Sequence, residues 1–270
     1  LVLGFKLRQL QSGRAAGSLL PWAAVLDDKS RTYIVLGDVA VAAAQDLLHL
    51  NLSLDDYVKR AYIPSTTQAD PQTMALARLL TTKRHTSVAD AELTARIAEV
   101  NAFPRQRAII RFAREMQVDD FKNANAILLD SRRTNPWVGL FENRLNFHLD
   151  WDNKLQRHVA RNQSPAKGEK SLYIPAGITG VSGEAYAVVA LLPNLSTSGF
   201  VLIIEGTNTE ATEAAGQFAA DAARIAEALS RIGIRPDSQP RPFELFLRVD
   251  ATGGTSSRAE LLSYRIPAAR

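Results

Sequence analysis

Asp130-Ser131-Arg132-Arg133-Thr134-Asn135 sets an acid, two hydroxyls, two guanidiniums and an amide in six consecutive positions. The apolar run Ala126-Ile127-Leu128-Leu129 leads straight into it, and Pro136 follows where a helix would begin. Thr207-Asn208-Thr209 follows Phe200–Gly206 in the same way, and Asp38 follows Tyr33–Gly37. Helix N-termini leave backbone N–H groups free and carry a partial positive charge, so they attract anions. Arginine forks grip carboxylates and phosphates two hydrogen bonds at a time. A small polar or anionic ligand is the chemistry these clusters suit. The ligand-binding candidates are Asp38, Ser131, Arg132, Arg133, Thr134, Asn135, Thr207, Asn208 and Thr209. The competing reading is that they only cap their helices, for which one residue per helix suffices.

Other constellations carry less. His148, Asp150 and Asp152 alternate, so a strand would put them on one face, and with His158 they would make an N/O metal set. Alternation with Leu149 and Trp151 describes an ordinary strand with one wet face equally well, and no metal site is assigned. His49 and His85 have no partner in sequence. Asp130 after Ile-Leu-Leu is similar to the phospho-acceptor strand of a response-regulator receiver. That pattern also needs acids at the end of the preceding strand and a Thr and a Lys soon after, whereas Gly206-Thr207 lies far downstream. Ser182, in Thr-Gly-Val-Ser-Gly-Glu, is not a nucleophile elbow. There is no Walker loop and no G-x-G-x-x-G; Gly177, Gly180 and Gly183 read as a mobile turn. No catalytic residue, metal or cofactor is assigned.

The absence of cysteine excludes disulfides, thiol nucleophiles and thiolate metal sites. With 46% apolar and 22% charged residues over 270 positions, the chain can bury a sizeable core. The net charge of +4 is spread along the chain without a block of five like charges, so no nucleic-acid arm is expected. No apolar run approaches the ~20 residues of a membrane-spanning helix. The chain opens Leu1-Val-Leu-Gly-Phe5 without Met and then turns basic with Lys6, Arg8 and Arg14. It reads as a piece of a longer protein, with Leu1–Phe5 either the tail of a membrane helix or a strand.

The elements that must position these residues follow from pattern. Residues 1–30 form an opening segment broken by Gly13, Gly17 and Pro21, with Trp22 packing where the domain begins. Strand–loop–helix units start at Thr32, Ala126 and Phe200. Short helices begin at Ser53 and at Asp70-Pro71, and a longer one spans about Val88–Val100 behind Ser87. Gln106–Arg114 is strand or helical turn. Leu145–Trp151 reads as a strand, and Asn162–Gly183 as loop. Tyr186–Leu192 with Phe200–Glu205 forms one antiparallel hairpin, and Phe243–Val249 with Glu260–Ile266 another. Apolar spacings from Ala211 to Ile232 predict one continuous helix, opened by a Thr207/Glu210 capping box and stopped at Gly233. The fold class is α/β, a Rossmann-like or flavodoxin-like mixed sheet with flanking helices, in two subdomains of residues 31–120 and 121–270. Ligands of such sheets bind beyond the carboxyl ends of the strands.

Asn125–Phe141 and Leu192–Ala215 carry a resemblance to a family of uncharacterised bacterial proteins, some with an N-terminal winged-helix DNA-binding domain and a membrane helix. The paired pattern is also similar to surface-layer-associated domains, where Ile-Gly-Gly-Pro replaces Asp130–Arg133. This resemblance, together with the lack of a catalytic constellation, implies the ligand-sensing part of a membrane-anchored bacterial transcriptional regulator. It would lie on the extracytoplasmic (periplasmic) side. Its expected partners are a small polar or anionic ligand and a second copy of the chain. This region would not touch nucleic acid, and it would meet a membrane only through a segment ahead of residue 1. The alternatives are a protein-interaction scaffold, and a hydrolase or transferase using Asp130 or the His148–Asp152 strand.

Overall fold

A computed structural model describes residues 18–26, 30–100, 108–178, 182–252 and 255–267. Leu1–Phe5, Lys6, Arg8, Gly13, Arg14, Gly17 and Gly180 lie outside the described residues.

Three predominantly apolar runs make the centre of the sheet: β1 (Thr32–Leu36), β3 (Asn125–Leu129) and β9 (Phe200–Gly206). Strands buried on both faces read as continuous hydrophobic runs, which is why no alternation is visible in them. β1 pairs in parallel with β3 and with β2 (Ile109–Phe112), and β3 pairs in parallel with β9. All four carboxyl ends therefore open on one rim. Ile109–Phe112 is thus a strand, the tertiary pairing settling what a short apolar run leaves ambiguous.

Beyond β9 the sheet turns antiparallel. β8 (Ser182–Pro193) pairs with β9 and with β10 (Phe243–Thr252), and β10 pairs with β11 (Thr255–Arg265). The order is β11-β10-β8-β9-β3-β1-β2, with β7 (Ala176–Ile178) on the free edge of β8 just past the end of β9. Strands from both sides of residue 120 thus share one mixed sheet. β4 (Phe147–Asp152), β5 (Arg157–Asn162) and β6 (Leu172–Tyr173) form a separate antiparallel sheet.

One face of the main sheet is covered by α1 (Trp22–Val25), α5 (Val88–Val100), α7 (Thr209–Ala220) and α8 (Ala222–Arg231). Trp22 is buried there, its indole donating to the Ala219 carbonyl at 2.6 Å. The other face carries α2 (Val39–Leu48), α3 (Leu54–Val58), α6 (Asp120–Asn123), the 3-10 turn Pro136–Leu140 and the small sheet. α4 (Pro71–Thr82) packs on α2 through Ala77. Ser53 and Asp70 cap α3 and α4, as their types suggest.

Local signals misled in three places. The helix from Ala211 to Ile232 is two helices, because Asp221 leaves helical geometry (φ −85°, ψ 107°) and caps α8 through the Ala223 and Arg224 amides. The apolar spacing stays in phase across this break, so periodicity cannot see it. The N-cap of α7 is Asn208, accepting from Ala211 at 2.9 Å, not Thr207. Gly177 and Gly183 are paired residues of β7 and β8, and Ser182 sits within β8, so these described residues belong to strands. Among the described residues no helix is long and apolar enough to cross a membrane.

Candidate functional site

The rim at the carboxyl ends of β1, β3 and β9 opens into a cavity of about 590 Å³. Its floor is Asp130, Ser131 and Thr134 after β3, and Gly206–Thr209 at the junction of β9 and α7. Ser87 and Val88, at the start of α5, close one side. Trp151 from β4 and Gln156–His158 at the start of β5 form the opposite wall, and Pro175, Ala176 and Gly183–Ala185 complete it from the β7–β8 hairpin.

Close approach at the floor depends on two glycines. A Cβ on Gly206 would overlap Ala211 and the Thr212 amide, so glycine lets the first turn of α7 sit against the end of β9. A Cβ on Gly37 would come within 2.7 Å of Thr134 and 3.1 Å of an Asp130 carboxylate oxygen, so glycine lets the loops after β1 and β3 touch.

Asp130 is the unusual residue of the floor. Its φ is +75°, a left-handed conformation that Asp tolerates better than most residues but that still carries strain. Its amide donates to the Ile204 carbonyl at 3.0 Å, and its carboxylate accepts from Thr212 Oγ1 at 3.1 Å. Burial, and next the negative charge of Asp90, push its carboxyl up to about 8. Asp90 is fully buried behind it, where burial raises its carboxyl too. One Asp90 oxygen accepts from the Gly37 amide and the Thr86 hydroxyl, both at 2.7 Å, and the other, Oδ1, is buried without a partner.

The wall carries two more orphaned atoms. Trp151 Nε1 and His158 Nδ1 are buried without a hydrogen-bond partner. The two rings meet edge to face at 5.3 Å, as expected for residues paired directly across β4 and β5. Burial and then the charge of Arg133 hold His158 down to about 4, so it is a neutral imidazole at physiological pH.

Of the nine sequence candidates, Ser131, Thr134, Thr207, Asn208 and Thr209 line the cavity. The other four are occupied elsewhere. Asp38 caps α2 at Val41, accepts from the Tyr57 hydroxyl at 3.1 Å, and is gripped by both arms of the Arg114 fork at 2.5 and 3.0 Å. Arg132 pairs with Glu142 at 2.5 Å. Arg133 is buried, pairs with Asp46 at 2.7 Å, donates to the Leu50 carbonyl at 3.1 Å and lies 4.3 Å from the Trp151 ring centre. Asn135 caps nothing: its amide donates to the carbonyls of Val35 and Leu129 at 3.1 and 2.9 Å, tying the ends of β1 and β3 together. Pro136 opens a 3-10 turn where the sequence suggested an α-helix. The arginines expected to grip an anion are therefore structural.

The metal set is dispersed. Asp150 and Asp152 both pair with Arg161, at 3.3 and 2.8 Å, and His148 bonds the Leu145 carbonyl and Gln163. His158 lies opposite Trp151 and so shares its face, not the face of the aspartates. Among the described residues no group of three or more His, Cys, Asp or Glu is placed to hold a metal ion.

Sequence reasoning did not connect Trp151, His158, Ser87, Ala176 or Glu184 with this rim. Their arrival depends on the small sheet folding across it and on β7 extending the edge of β8. What the site offers is hydroxyls, amides, an indole N–H, a neutral imidazole and an un-ionised carboxyl: a set for hydrogen bonding. No protein-family model, no curated protein and no solved structure matches the chain.

Proposed function

We propose that this chain is a non-catalytic, ligand-sensing domain that holds a small polar molecule in the cavity at the ends of β1, β3 and β9. It would serve as the sensory part of a larger bacterial regulator, anchored in the membrane through a segment ahead of residue 1 and exposed on the periplasmic side. The parallel strands taken in chain order lie as 2-1-3-4, an order that supports a flavodoxin-like reading of the sheet. In that arrangement the ligand crevice sits between the loops of the first and third strands. Gly37 and Asp130 occupy those loops. One observation carries the reading: the cavity stands at this crevice, and Trp151 and His158 in its wall hold buried ring nitrogens that have no protein partner. Buried polar groups without partners cost about 1–3 kcal/mol each, and a ligand or water that satisfies them recovers that cost.

Nucleophilic catalysis finds less support. His158 Nδ1 has no hydroxyl within bonding distance, and its depressed basicity is poor for a general base near neutral pH. Asp130 is un-ionised at neutral pH and so is a weak nucleophile.

The test is a screen of small polar compounds by thermal shift against the wild type and Ala176→Trp. Ala176 is exposed and lines the cavity, so a large side chain fills the space without disturbing the core. Compounds that raise Tm in the wild type should lose the effect in the variant. Hits that persist in Ala176→Trp would place binding elsewhere and refute the assignment.

A further inference from the structure

We infer that the ligand is an uncharged sugar, a mono- or disaccharide, held by hydroxyl and amide contacts without ion pairing. The inference rests on the binding role assigned to the cavity above and goes on to name what fills it. The lining has no net formal charge to offer. It holds one cation, Arg157, which donates to the Pro175 carbonyl at 2.9 Å, and one carboxylate, Glu184, which accepts from the Tyr186 hydroxyl and lies 4.0 Å from Arg248. The guanidiniums nearest in sequence, Arg132 and Arg133, are spent on Glu142 and Asp46. An anion would therefore lose its hydration beside Glu184 with no dedicated cation fork in return, and the N-terminus of α7 is already capped by Asn208.

Hydroxyl-rich ligands meet the opposite situation. Ser87, Ser131, Thr134 and Thr209 come from three different elements and converge on one space. Each hydroxyl both donates and accepts, which matches the bifunctional hydroxyls of a sugar. Trp151 Nε1, buried in the wall with no protein partner, leaves a further donor unspent beside them. A volume of about 590 Å³ falls inside the roughly 300–1,000 Å³ range of small-molecule sites. Nucleosides are disfavoured among uncharged ligands, because the aromatic wall has little open face for a flat base. Trp151 is stacked by Arg133 at 4.3 Å and met edge-on by His158.

The test titrates D-ribose, D-glucose and maltose by calorimetry, each beside a charged or flat comparator: ribose 5-phosphate, glucose 6-phosphate and adenosine. Wild type is compared with Ala176→Trp, and with Thr209→Trp as a second, independently exposed blocking position. At least one neutral sugar should bind at least about tenfold more tightly than its phosphorylated form, and lose about tenfold in both blocked variants. Phosphorylated sugars or adenosine binding as well as the neutral sugars would overturn the sugar assignment and leave the cavity as a binding site. Silence from every sugar, with hits from the general screen that vanish on blocking, overturns the sugar assignment alone. Silence from both the sugars and the screen removes the binding role as well.

Discussion

Asp130→Asn should make the protein more stable, and increasingly so as pH rises. Asn keeps an oxygen to accept from Thr212 Oγ1 and tolerates the left-handed backbone that the position requires. It removes only the ability to ionise. In the unfolded chain Asp loses its proton near pH 3.9, whereas in the folded protein it does so at about 8. Between those values the unfolded state gains by ionising and the folded state does not, so wild-type stability falls as pH rises across the window and levels off above it. The full displacement of some four pH units amounts to about 6 kcal/mol at 1.4 kcal/mol per unit. Most of this difference is present by pH 8 and the rest just above it, so the variant should gain several kcal/mol there. The assay is urea and thermal unfolding of both proteins at pH 4, 6, 8 and 9. The curves should converge at pH 4 and diverge up to pH 8. Parallel curves, or a variant that loses ground at high pH, would mean that Asp130 is ionised and paired, and the reasoning would fail.

Gly206→Ala should destabilise by about 1–3 kcal/mol, measured by urea unfolding, because the new methyl meets the backbone of Ala211 and Thr212. Arg114→Ala should cost about 3–5 kcal/mol by leaving the Asp38 carboxylate buried beside Tyr57, while Arg132→Ala, whose side chain is 45% exposed, should cost under about 1 kcal/mol. Neither should alter binding by a ligand that sits in the cavity, which calorimetry on the folded variants would check. Glu244→Gln should weaken the attachment of the small sheet, since the carboxylate accepts from the amides of Asn146 and Phe147 at 2.9 and 2.7 Å, and near-ultraviolet dichroism should report looser packing of the stacked Phe147 and Phe246.

The three parallel strands were legible because their burial is written into their composition: Ala126–Leu129 and Val201–Ile204 have room for no polar residue. The rim followed from them, and with it the five loop residues that line the cavity. What could not be read was which side chains were already engaged. Arg133 looks like a free anion ligand beside Arg132, but its partner Asp46 is 87 positions away. Asn135 looks like a cap before Pro136, yet the carbonyls of β1 and β3 come close enough to claim its amide. The second wall was hidden for a related reason. Nothing local says that Trp151 faces His158 across a hairpin, or that the glycine- and proline-rich stretch after Asn162 contributes β6 and β7. Gly206-Thr207 lies far along the chain from Asp130, which speaks against a receiver in sequence, but the β3–β9 pairing brings the ends of these two strands together. Arg114 holds Asp38 and no lysine lines the cavity, so a receiver's remaining groups are not assembled there.

The most direct measurement is the indole region of a ¹H–¹⁵N spectrum, recorded while the wild type is titrated with compounds that raise its Tm. The chain has three tryptophans. Trp22 and Trp137 are buried and donate to the Ala219 and Ala113 carbonyls, whereas Trp151 Nε1 stands without a partner in the cavity wall. A molecule seated at the ends of β1, β3 and β9 should move the Trp151 signal alone and leave the other two in place. Compounds that stabilise the protein yet leave Trp151 still, or shift Trp22 or Trp137 in its stead, would contradict the account.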